Sequence, residues 1–268
     1  MNKNYEEKAK EIRRLSLIMA HNANSSHSGG ALSMADILSV LYSGVLNITP
    51  ETANSPNRDR FLLSKGHCCA SVYAALAINN FLDKEDLLNN YGKNGSMYFS
   101  HISHHLNGVE ISSGSLGHGL SVACGIAISE RISKNNFNTY CLTGDGELDE
   151  GSCWEAIMFA AQQKLSHLCL IVDYNKIQSL GNVKDICDLS PLAMKFKAFN
   201  WNTIEINGHD YDEILSAFNN FKNETQKPTV IIANTIKGKG VSFMEGELLW
   251  HYRSPNEEQL NKALEELK

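Results

Sequence analysis

Gly144-Asp145-Gly146 closes an apolar run, Phe137 to Thr143, and Asn175 follows a second one, Leu168 to Val172, about thirty residues further on. A carboxylate and an amide oxygen suit a hard cation such as Mg²⁺, which usually bridges to the phosphate oxygens of a bound molecule. Gly146 lets the backbone come close to a phosphate. These residues can act together only if the two runs lie side by side. Glu150 to Gln163 reads as a helix, so the segment is a strand–helix–strand crossover joining parallel strands. That topology brings Asp145 and Asn175 to the C-terminal edge of the sheet, where open α/β sheets bind ligands.

The rest of the chain supplies the frame. Residues 4–24 form an amphipathic pattern with Tyr5, Ala9, Ile12, Leu15 and Met19 on one face. Ser33-Met34-Ala35-Asp36 has the form of a helix start, with a serine cap and an acid three residues later. Arg60 to Leu63 is expected to be a strand, Cys68 to Asn80 a helix, and Leu116 to Ile132 a further helix rich in small residues. Beyond the crossover come a helix near 190–200, a strand at Thr203–Ile206, a helix at 211–221, a strand at Thr229–Ala233 and a helix from Glu257 to Leu267. Strands alternating with helices predict an α/β fold, a parallel sheet covered by helices on both faces. No Pro/Ser-rich linker or repeat interrupts residues 1–268, so a single domain is expected.

Composition narrows the function classes. The 268 residues carry a formal charge of −6, which offers no basic footprint for nucleic acid or anionic membrane. A phosphate site must then be built locally, from backbone amides, histidines and a cation. No apolar run approaches the length of a membrane span, and the first residues lack the apolar core of a signal peptide. The seven cysteines form no C-x-x-C pair, and several sit in apolar runs as small hydrophobes. An odd count without a disulfide framework points to a reducing cytoplasm.

Further blocks extend the pattern along the chain. His27-Ser28-Gly29-Gly30 precedes Met34-Ala35-Asp36-Ile37; Asp59 to His67 follows as Asp-Arg-Phe-Leu-Leu-Ser-Lys-Gly-His; and Gly108-Val109-Glu110 leads to Ser113-Gly114-Ser115-Leu116-Gly117-His118-Gly119. After the Gly-Asp-Gly and Asn175 blocks come Lys237-Gly238-Lys239-Gly240-Val241-Ser242 and Trp250-His251. In this order the series resembles the N-terminal, thiamine diphosphate-binding half of transketolases.

The resemblance implies a thiamin-diphosphate-binding fold and a site, residue by residue. Asp145, Asn175 and the Ile177 carbonyl hold Mg²⁺ (or Ca²⁺ or Mn²⁺ in its place). Gly144, Gly146, His67 and His251 meet the diphosphate end of the cofactor, while Gly114 and Leu116 line the ring-binding cleft. His67 and His251 are also the implied catalytic histidines. Glu150, which the helix dipole alone would favour at a helix start, implies an acid coupling two active sites. His27 implies a substrate contact at the mouth of the site. Transketolases usually carry Gly-His-Pro before the Gly-Val-Glu block; here Ser100 to Asn107 lacks the proline, and either His101 or His104 supplies the imidazole facing substrate. No Cys or carboxylate at ligand spacing accompanies these histidines as a zinc set would require.

Full transketolases add a pyrimidine-binding domain, with the glutamate that activates the cofactor ring, and a third domain. This chain has about the length of the first domain alone. The resemblance therefore implies the N-terminal subunit of a split transketolase, a transferase of carbohydrate metabolism that moves a two-carbon ketol unit from a ketose, phosphorylated in the usual case, to an aldose. It implies a C-terminal partner chain, the two joined in a heterotetramer with two of each. Three other readings compete. The α subunit of a 2-oxo acid dehydrogenase or decarboxylase has a similar metal motif but not the blocks around His27, Asp59–His67 and Lys237–Gly240. A nicotinamide-binding domain would need G-x-G-x-x-G after a strand, whereas residues 114–119 run G-x-x-G-x-G. A non-catalytic homologue that binds a partner would not need an intact set of metal and histidine residues.

Overall fold

The computed structural model describes residues 2–135 and 137–268. Five parallel strands form one sheet: β1 (Arg60–Leu63), β2 (Thr139–Gly144), β3 (Leu168–Tyr174), β4 (Asn202–Asn207) and β5 (Thr229–Asn234), in the order β1-β2-β3-β5-β4. Helices cover both faces, as the alternation predicts. On one face lie α1 (Asn2–Asn22), α3 (Ala35–Val40), α4 (Cys69–Ile78) and α10 (Tyr211–Asn223); on the other lie α6 (Gly119–Ile132), α7 (Gly151–Gln162) and α9 (Leu192–Ala198). Between the large helices the chain makes α2 (Ser28–Ser33), α5 (Lys84–Asn90) and α8 (Val183–Ile186), and it closes with α11 (Glu257–Glu266).

The two-residue period of a strand sorts the core. Cys169 and Ile171 of β3 pack beneath α1, α3 and α4, while Leu168, Leu170 and Val172 pack beneath α6 and α7. All five are fully buried, which is why β3 is a continuous apolar run rather than an alternating one. The register pairs Gly144 with Asp173, so β2 and β3 end level and release their next residues at one edge. No helix of the described residues is long and apolar enough to cross a membrane.

One local expectation fails. Ser33 is not the cap of α3: it closes α2, and its hydroxyl donates to Gly30 O (3.0 Å) and to Asp173 Oδ2 (2.6 Å). Asp36 is likewise no dipole-stabilising acid on a free helix end. It is buried and paired with Arg13, because α1 packs across it. Tertiary partners took both side chains away from their local roles. The short helix α5 has no counterpart among the expected elements, although Asp83 caps it by accepting the Asp86 N–H at 2.7 Å.

Candidate active site

Asp145 leaves β2 buried at 2% exposure, and its carboxylate bridges the two strand ends, accepting the Gly146 N–H (2.8 Å) and the Lys176 N–H (2.5 Å). Burial, reinforced by the nearby Asp173 charge, pushes its pKa up to about 6. A carboxylate held in that state gains most from a cation beside it. Asn175 donates through Nδ2 to Asp173 Oδ2 (3.1 Å), which fixes the amide so that Oδ1 takes the outer position, where it accepts the Ile177 N–H (3.1 Å). The Ile177 carbonyl stands two residues on, bent back by an antiparallel bridge to Asn182. Carboxylate, amide oxygen and carbonyl make a hard, oxygen-only donor set that fits Mg²⁺.

Four histidines close over the same cleft. The ring centroids of His27 and His67 are 4.8 Å apart, of His27 and His251 5.1 Å, of His67 and His251 5.8 Å, and of His27 and His101 6.1 Å. His27 sits just before α2 with φ +73°, and its N–H donates to the His251 carbonyl at 3.1 Å, tying two blocks more than two hundred residues apart. Burial lowers the pKa of His27 and of His67 to about 4, helped in His27 by His67 and in His67 by Lys65. Burial and then Lys237 lower His251 to about 3, and burial also lowers His101. Near neutral pH all four are neutral imidazoles, able both to donate and to accept hydrogen bonds.

The structure separates His101 from His104. His101 lines the cleft with its ring against Gly114, where an added Cβ would lie 2.9 Å from Cδ2. His104 is exposed, with its ring turned to Ser112 Oγ at 2.7 Å, and does not line the cleft. Gly114, Leu116, Gly144 and Gly146 line the cleft as well. Gly66 has another reason to be glycine: a Cβ there would collide with the Ser113 carbonyl, so it permits the approach of a neighbouring loop. Glu150 is exposed at the N-terminus of α7, outside the cleft and against Gly117.

Three charged groups that line the cleft escaped the motif-based assignment, as did the fully buried Asp173. Lys65 is fully enclosed, donating to Asp173 Oδ2 (2.5 Å) and Gly30 O (2.9 Å). Lys237, buried at 2% exposure, donates to the Ile177 carbonyl (2.8 Å) and to His251 Nδ1 (3.0 Å), which leaves the His251 proton on Nε2. Burial lowers the Lys237 pKa to about 8. Glu147 accepts the Gly117 N–H (3.0 Å), the Gly144 N–H (3.3 Å) and the Ser64 hydroxyl, joining three loops around the cleft. Lysines inside otherwise apolar or glycine-rich blocks were the available signal, since such a charge is seldom buried without a task.

A parallel sheet with converging oxygen donors, buried lysines and glycine turns at its carboxyl edge defines an α/β domain built to bind a ligand at its strand ends. The family model described as "Transketolase, thiamine diphosphate binding domain" matches residues 5–267. The chain belongs to that family, as an N-terminal thiamine diphosphate-binding unit. It is 43% identical over 267 residues to one of the subunits of apulose-4-phosphate transketolase from Actinobacillus succinogenes, covering 98% of this chain and 95% of that protein. It is 41% identical over 260 residues to 6-deoxy-6-sulfo-D-fructose transketolase subunit SqwG of a Clostridium species, covering 97% and 94%. The crystal structure of transketolase from Campylobacter jejuni superposes with a TM-score of 0.94 at 35% identity, over 99% of this chain and 43% of that one. The chain thus spans about two-fifths of a full-length transketolase, but nearly all of its relatives named as subunits.

Proposed function

We propose that this chain is the diphosphate-binding half of a thiamine diphosphate- and Mg²⁺-dependent transketolase, acting in the cytoplasm with a partner chain that carries the pyrimidine-binding domain. It moves a two-carbon ketol unit from a ketose to an aldose. The observation that carries this reading is the meeting of Asp145, Asn175 and the Ile177 carbonyl with Lys237 and four neutral histidines in one cleft. When bound, the cofactor supplies the electron sink for carbon–carbon bond cleavage. The protein supplies charge balance, orientation and proton placement.

Asp145, Asn175 and Ile177 O hold the metal, and Lys237 adds a second positive charge for the diphosphate. His67 and His251 stand at the cofactor end of the cleft. His27 and His101 face the sugar, His101 taking the place of the usual loop histidine. The two named relatives act on ketoses carrying a phosphate or a sulfonate, and we assign the donor here to the same class, a ketose with an anionic terminal group.

Residues 1–268 act as one domain, and two copies join two partner chains. Support comes from the groove between α6 and α7, where Met158 and Phe159 are exposed at 57% and 44% beside Gly125 and Ile128, with Val122 exposed nearby on α6. Apolar surface of this kind is typical of an obligate interface. Glu150, exposed at the head of α7, is available to couple the paired sites across it.

Co-expression of the chain with its partner tests the reading. The assembled enzyme should bind thiamine diphosphate in a Mg²⁺-dependent way and transfer a ketol unit between a ketose and an aldehyde. Asp145→Ala should abolish the calorimetric signal for cofactor binding. Unchanged affinity in that variant, or robust transfer by this chain alone, refutes the assignment.

A further inference from the structure

The turn between β4 and α10, Asn207-Gly208-His209-Asp210, lies outside the cleft, yet it is built against the segment that carries Lys237. Gly208 N–H donates to Asn234 O at 2.8 Å, and a Cβ on Gly208 would collide with the Thr235 methyl. His209 Nε2 accepts the Ile236 N–H at 2.9 Å. A nitrogen that accepts that hydrogen bond carries no proton, so the ring proton lies on Nδ1. Nδ1 is 2.7 Å from Asp36 Oδ2 and donates to it. Asp36 is anchored in turn by Arg13, at 3.2 Å and 2.5 Å, and by the Tyr211 hydroxyl at 2.6 Å. The Arg13 charge holds the Asp36 carboxyl well below the ordinary range against the cost of burial. At neutral pH Asp36 is therefore an anion, matched to the proton on Nδ1.

The segment after β5 is pinned at three successive residues: the Thr235 hydroxyl to Asp173, the Ile236 N–H to His209, and Lys237 Nζ to the Ile177 carbonyl. Lysine carries a point charge on a flexible stem, so a fixed backbone narrows where its ammonium can reach. We propose that His209, oriented by Asp36 and Arg13, is a positioning residue that fixes the backbone of residues 235–237 and so aims the Lys237 ammonium at the cofactor diphosphate. This rests on the reading of Lys237 given above. Main-chain bonds hold the neighbours, Thr235 N–H to Tyr174 O (3.3 Å) and Gly246 N–H to Lys237 O (2.9 Å), whereas the Ile236 N–H is held by His209.

A matched pair of substitutions isolates the role. His209→Gln places an amide oxygen near the position of Nε2 and keeps the acceptor for Ile236. His209→Asn reaches only as far as Nδ1, keeping the donor to Asp36 and losing the acceptor. In the chain assembled with its partner, thiamine diphosphate is titrated by calorimetry with Mg²⁺ present, and its KM and kcat are measured. His209→Asn should weaken cofactor binding about tenfold, the scale of one hydrogen bond supporting a charged group, with kcat at saturating cofactor within about twofold of the parent. His209→Gln should stay within about twofold in both. On a Lys237→Met background the two variants should bind alike, since the group they position is gone. Equal affinities for Asn and Gln with Lys237 present overturn the proposal, as does an Asn defect that persists undiminished in Lys237→Met. A parent enzyme that binds no thiamine diphosphate overturns the functional reading as well. If the Asn variant does not fold, His209→Ala, which leaves Asp36 with Arg13 and Tyr211, carries the same comparison.

Discussion

Asp173 is the group on which the site rests, and its removal has a size that the structure allows to be worked out. It is fully buried and accepts from four side chains: Lys65 Nζ (2.5 Å), Ser33 Oγ (2.6 Å), Asn175 Nδ2 (3.1 Å) and the Thr235 hydroxyl. Burial works against both charges of the Lys65–Asp173 pair. Their mutual attraction outweighs it, raising the lysine pKa and lowering that of the acid. Asp173→Ala leaves the Lys65 ammonium enclosed with the Gly30 carbonyl, at 2.9 Å, as its hydrogen-bond partner and the Asp145 carboxylate nearby but not bonded to it. Stranding a buried charge in this way costs about 3–5 kcal/mol, a large part of the roughly 5–15 kcal/mol that holds a domain folded. For a chain of this length the unfolding entropy is about 0.6 kcal/mol per degree, so the melting temperature should fall by roughly 5–9 °C. The assay is thermal unfolding followed by circular dichroism on the isolated chain, so no partner is needed. Adding Lys65→Met to the variant removes the stranded charge and should restore at least half of the loss, because replacing a whole buried pair by apolar groups is often neutral. A single variant melting within about 2 °C of the parent, or a double variant no better than the single, refutes the reasoning.

Three further outcomes are expected. His67→Ala and His251→Ala should lower kcat far more than folded yield, and His27→Ala should chiefly raise KM for the ketose, read from steady-state kinetics of the assembled enzyme. At pH 5.5 an ordinary histidine is about nine-tenths charged, but His27 and His67, with pKa values lowered to about 4 by burial, should remain neutral in an NMR titration of their ring protons. The unfolded chain takes up those protons and the folded chain does not, so these two rings reduce stability as pH falls from 6.5 towards 4 and cost nothing above 6.5. Met158→Asp should leave the melting temperature of the isolated chain nearly unchanged, because that side chain is 57% exposed, while light scattering with the partner should show a loss of assembled mass.

The sequence by itself determined whatever depends on neighbours along the chain. Strand and helix periods are local, so β1 was readable at Arg60–Leu63, and α7 and α10 were placed to within two residues at each end. The crossover from β2 to β3 followed from its length, and with it the meeting of Asp145 and Asn175. His27, His67 and His251 were singled out by the resemblance of their blocks to transketolases, since no local period marks them, and all three line the cleft.

The tertiary structure alone decided how groups distant in sequence are paired. Strand β5 inserts between β3 and β4, which puts Thr235 to Lys237 beside the Asn175 loop, and nothing in either segment's period announces that neighbour. Ser33 and Asp36 looked like parts of a helix cap and became partners of Asp173, Arg13 and His209, since a buried partner outbids a local one. His101 and His104 are equivalent as residue types, but only His101 packs against Gly114. The charge on Lys65 is balanced by an acid 108 positions away, a contact set by the closing of the sheet and visible in neither residue's surroundings along the chain.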